Sequence, residues 1–134
     1  MNDRGLFDAL RRFDEEYIPF PPFVAAAKMI EDNLAIYRET GIAQHLLVLG
    51  ESGTGKSSLC FWITQKYQRL SLPDREILPV LYVAVPPAAT IASMVEVILE
   101  RLGDPSPTTG TASAKTARSV LLCRACRVEL ILLD

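Results

Sequence analysis

Eight residues, Gly50 to Ser57, read GESGTGKS and constrain this chain more than any other feature. They fit the spacing G-x-x-x-x-G-K-[ST], in which glycines open backbone conformations closed to other residues, so that successive N–H groups can turn inward around phosphate oxygens. The loop sits between an apolar run and a helical pattern. His45 to Leu49, HLLVL, is apolar after its first residue and reads as a strand buried on both faces, whereas Leu59, Trp62, Ile63 and Tyr67 recur at helical spacing. In that order the helix adds its positive dipole end to a bound phosphate. On this reading Gly50, Glu51, Ser52, Gly53, Thr54, Gly55, Lys56, Ser57 and Ser58 cradle the ligand. Lys56 reaches the β and γ phosphates and Ser57 ligates Mg²⁺, so ATP with Mg²⁺ is the expected cofactor pair.

The rest of the chain alternates strands and helices. Val80 to Val85 (VLYVAV) is a second strand candidate, closed by Pro86 and Pro87. Thr90 caps a helix with the stripe Ile91, Met94, Val95, Ile98 and Leu102, stopped by Gly103. Asp104 to Thr111 is a loop by composition, and a helix from about Ser113 to Arg127 sets Ala114, Ala117, Leu121, Ala125 and then Val128 on one stripe. LILLD, Leu130 to Asp134, reads as a third buried strand that delivers Asp134 at its carboxyl end, where such sheets bind ligands. There Asp134 joins Lys56 as the second catalytic residue and holds Mg²⁺ through water. This alternation predicts an α/β fold with a mostly parallel sheet.

Before the loop, residues 1 to 43 are helical in pattern and acidic. Pro19, Pro21 and Pro22 in Tyr17 to Phe23 separate an N-terminal helical arm, residues 1–21, from the main domain, residues 22–134, whose first helix runs from about Pro22 to Thr40 and ends near Gly41. A net charge of −2 excludes the broad positive field of a protein that coats nucleic acid by charge alone. A local basic face is compatible with it: Thr108 to Arg127 holds Lys115, Arg118, Arg124 and Arg127 and no acid. Helical spacing puts these in two pairs, of which Lys115 and Arg118, beside the loop, are the pair expected to face DNA. The first residues mix both charges without an apolar run, and Pro79, Pro86 and Pro87 interrupt the longest uncharged stretch, so neither a secretory signal nor a membrane span is expected and the chain is placed in the cytoplasm. Three cysteines then read as reduced thiols. Cys123 and Cys126 have the spacing of redox and zinc sites, but Cys60 and His45 do not converge on them easily, and packing is the simpler role.

GESGTGKSSLC after HLLVL, PVLYVAVPPAATIASMVEVILERLGDP and the later LILLD together resemble the first half of an AAA+ ATPase module, and more narrowly the TniB/TnsC family of ATP-dependent transposition regulators. The resemblance covers nearly all of the chain and implies a three-layer P-loop NTPase fold, ATP hydrolysis, homo-oligomers assembled on DNA, and a transposase as partner. In that family a Glu follows the strand-ending Asp, and a sensor residue and an arginine finger come later. This sequence stops at Asp134, so the resemblance implies an N-terminal fragment, with a fold incomplete at its C-terminus and no turnover of its own. Two alternatives stand beside it: a small-molecule kinase using the same loop, and a nucleotide-binding fragment without turnover. A GTPase is disfavoured, because Asn2 and Asn33, the only asparagines, cannot form Asn-Lys-x-Asp.

Overall fold

A computed structural model describes residues 21–49 and 55–134, so all but the last residue of the expected arm, residues 1–21, and the loop residues Gly50 to Thr54 lie outside the described part. The chain divides into two compact units, Met1–Leu59 and Cys60–Asp134. In the first, helix α1 (Pro21–Thr40) opens on prolines that suit a first helical turn. Its buried positions Ala27, Ile30, Glu31 and Leu34 follow the helical repeat. It ends as expected, with Gly41 at φ +71 and the Gly41 N–H donating to Tyr37 O at 2.8 Å. The strand expected over His45–Leu49 is absent: residues 42–49 carry no regular structure, and Leu47 and Leu49 are 79% and 82% exposed. An apolar run signals that a segment needs cover, but a strand forms only where a neighbour completes its ladder, and the described residues of this unit contain no second strand.

Helix α2 (Lys56–Lys66) follows Gly55 and buries Leu59, Trp62 and Ile63 of the stripe read from the sequence, while Tyr67, its fourth member, is half-buried just past the helix end. The second unit, which starts at Cys60 within α2, continues with a hairpin of β1 (Leu70–Ser71) and β2 (Glu76–Ile77), antiparallel with Leu70 opposite Ile77. Strands this short leave no periodic trace in a sequence.

β3 (Val80–Val83) pairs in parallel with β4 (Leu130–Leu133), Val80 opposite Leu130 and Val83 opposite Leu133. The crossover between them contains α3 (Ile91–Arg101) and α4 (Ala112–Ala125). Strand alternation sends Leu81 and Val83 to one face, where with Leu102 they form a core packed by Met94, Val97, Ile98, Leu122, Cys123, Cys126 and Val128. Both crossover helices therefore cover the same face of β3. β4 departs from the expected fully buried strand, for only Leu132 is buried, while Ile131 and Leu133 are 43% and 59% exposed. The outward edge of β3 is occupied by a side chain, Arg101 Nε donating to Tyr82 O at 3.1 Å, which blunts that edge against further pairing.

Thr90 caps α3 with a reciprocal box: Ser93 N–H donates to Thr90 Oγ1 and Thr90 N–H to Ser93 Oγ. The stop at Gly103 is the one expected, with φ +88, Gly103 N–H bonded to Glu100 O and Asp104 N–H to Leu99 O. In α4 the expected stripe is on the wrong face, except for Val128 just beyond the helix, which packs on the core. Ala114, Ala117, Leu121 and Ala125 are exposed, whereas Lys115 and Ser119 are buried and Leu122, Cys123 and Cys126 pack on the core. The two faces have similar apolar content, and the one that packs is decided by its cysteines and by an acid that meets its lysine. The described residues thus form an α/β structure with four helices and two small sheets, one of them parallel.

Candidate functional site

Of the loop motif, the structure describes Gly55 and the first turn of α2. Gly55 has φ +92, in a region that costs other residues about 1–2 kcal/mol. Its carbonyl accepts the Leu59 N–H at 2.9 Å, so the residue closes the loop and opens the helix at once. The first turn holds no acidic residue, leaving the positive end of the helix dipole uncompensated by its own side chains. Lys56 and Ser58 are half-buried there and Ser57 is exposed. Gly50, Glu51, Ser52, Gly53 and Thr54 lie outside the described residues.

Asp134 stands directly after β4, as the sequence predicts. The parallel ladder runs on through it: Asp134 N–H donates to Val83 O at 3.0 Å and Val85 N–H donates to Asp134 O at 2.7 Å. Its side chain is met by one that sequence reasoning missed. Tyr82 Oη–H donates to Asp134 Oδ2 at 2.7 Å, and this bond, with some burial, pushes the phenol above its ordinary pKa. Register accounts for the pairing, because Tyr82 lies opposite Leu132 and Asp134 is two residues further on the same face. Cys60, in the second turn of α2, also senses this carboxylate: burial raises its thiol pKa first, and the charge of Asp134 raises it further.

The pair expected to face DNA is engaged inside the protein instead. Lys115 is 8% exposed and its Nζ lies 2.6 Å from Glu96 Oε1 on α3. Arg118 Nε donates to Asp104 Oδ2 at 2.6 Å, and its Nη1 and Nη2 donate to Thr109 O and Ser106 O, each at 3.0 Å. Sequence spacing identified two pairs, but it could not see that the loop and α3 supply acids and carbonyls to the nearer one. Arg124 and Arg127 are exposed.

Cys123 and Cys126 belong to the core edge, where burial raises the Cys123 thiol and so disfavours a thiolate. Among the described residues no three His, Cys, Asp or Glu side chains form a group that could hold a metal ion. None of the described helices is long and apolar enough to cross a membrane.

A family model described as bacterial TniB protein matches residues 11–134. No curated protein matches the chain.

Proposed function

Since this chain belongs to the TniB family, we propose that it is a P-loop ATP-binding component of DNA transposition, in which bound nucleotide organises contacts to DNA and to a transposase. The observation that carries the nucleotide reading is the convergence of GESGTGKS on a helix start: Gly55 in a left-handed conformation, then Lys56 and Ser57 in a turn without acids. Backbone N–H groups and the helix dipole favour phosphate at such a place, and Lys56 adds a full positive charge for the β and γ oxygens.

The donor chemistry also fits Mg²⁺, since a serine hydroxyl and a carboxylate are hard oxygen ligands of the kind it takes beside phosphate oxygens. Ser57 Oγ and Asp134 are the residues that would hold it, where it would neutralise charge on the phosphates. The protein's own part is to bind and orient the nucleotide.

Within this reading Arg124 and Arg127, the exposed members of the basic segment, are the candidates for DNA contact. Calorimetry tests the nucleotide reading. Wild type should bind MgATP and Lys56→Ala should lose at least tenfold in affinity, about the value of one charge-assisted contact. Equal affinity in the two proteins would sink the assignment.

A further inference from the structure

We propose that Tyr82 is a positioning residue for Asp134, its phenol fixing the carboxylate that meets the Mg²⁺ of bound nucleotide; this rests on the nucleotide-binding reading above. The backbone of Asp134 is already held on both sides, by Val83 O and by the Val85 N–H. Ladder bonds fix the main chain but leave the side-chain torsions to be set by something else. The 2.7 Å bond from Tyr82 Oη to Oδ2 restrains them, at a length usual for a hydroxyl donating to an ionised carboxylate.

Tyr82 can act as a fixed reference because its own strand is anchored. Leu81 and Val83 on either side are 1% and 0% exposed, and Arg101 Nε holds the Tyr82 carbonyl. A phenylalanine would pack the same ring, so the hydroxyl is what this position gains from tyrosine. A phenol also suits a metal-facing carboxylate better than a cation does. It donates a hydrogen bond without cancelling the negative charge, and it takes only one of the about four acceptor sites of a carboxylate. Preorganised ligands of this kind bind a metal without first ordering a side chain.

Tyr82→Phe removes the hydroxyl alone. ATP is titrated into the 134-residue chain by calorimetry, once with Mg²⁺ and once with excess EDTA. The expected result is that wild type gains affinity from Mg²⁺, that Tyr82→Phe loses about three- to tenfold of this gain, and that its affinity in EDTA is unchanged. In an Asp134→Asn background the same change should have no further effect. An unaltered Mg²⁺ gain in Tyr82→Phe overturns the positioning role while ATP binding stands. An equal loss with and without Mg²⁺ marks a merely structural residue and also overturns it. Absence of ATP binding by wild type overturns the nucleotide reading and this inference with it. Should Tyr82→Phe fail to fold by circular dichroism, wild type labelled with ¹³C-tyrosine carries the test: the Tyr82 Cζ resonance must move when Mg²⁺ joins the nucleotide complex, and a resonance that stays in place overturns the inference.

Discussion

Arg118 donates to three oxygens on one loop, and this changes what a basic residue means here. Asp104, its acidic partner, is 6% exposed in its side chain and also accepts the Ser106 N–H at 2.9 Å. The Ser106 bond first, and then Arg118, hold its carboxyl below the usual carboxylate range. A group whose pKa is lower in the folded state than in the unfolded one stabilises the fold above its unfolded value, about pH 4, and loses that contribution as pH falls through the lowered folded value. Asp104→Asn should therefore make stability less dependent on pH at the acid end. Urea unfolding midpoints measured from about pH 6 down to about pH 2 should fall less steeply for the variant than for wild type. Identical slopes would show that Asp104 is not linked to folding.

At the scale of elements, both crossover helices end in the same geometry with different residues. α3 ends on Gly103, whereas α4 ends on Arg127 at φ +53, with its N–H bonded to Arg124 O and the Val128 N–H bonded to Cys123 O. An arginine in that conformation costs about 1 kcal/mol more than glycine, so Arg127→Gly should stabilise the chain by about that amount, read as a higher urea midpoint at unchanged slope. No gain would mean that the arginine side chain offsets the strain through contacts of its own. Caps and stops are local chemistry, which is why Thr90, Gly103 and Gly41 could be read from the sequence with their positions right. Which face of α4 packs could not be, because Leu121 and Leu122 point to different sides and the core contacts of Cys123 and Cys126, with the acid on α3, decide between them. For the same reason HLLVL was read as a strand: its apolarity is local, and the ladder a strand needs is not. The loop and Asp134 were legible as a motif and as an acid after an apolar run, whereas Tyr82 became visible only when register joined two strands 52 positions apart at the hydrogen bond.

For the whole molecule the governing quantity is a net charge of −2 with its cations unevenly used. Lys115 and Arg118 are spent on holding α4 to α3 and to the loop, which leaves Arg124 and Arg127 as the exposed members of the basic segment. Both stand at the carboxyl end of α4, where cations complement the helix dipole without any ligand, so exposure alone does not make them a DNA contact. The dipole role and the DNA role differ in what they predict. Cations that serve the dipole change stability, and cations on phosphates release counterions and set a salt slope. Arg124→Ala with Arg127→Ala should weaken binding of the ATP-bound protein to duplexes of unrelated sequence alike, and lower the salt slope by roughly one to two. Lys115→Ala with Arg118→Ala should instead lower the unfolding midpoint and leave the slope where it was. Arg127→Gly sharpens the contrast, since it should raise stability while weakening DNA binding. Fluorescence anisotropy across a salt series reads all three variants, and a slope unchanged by losing Arg124 and Arg127 would return the pair to the helix dipole.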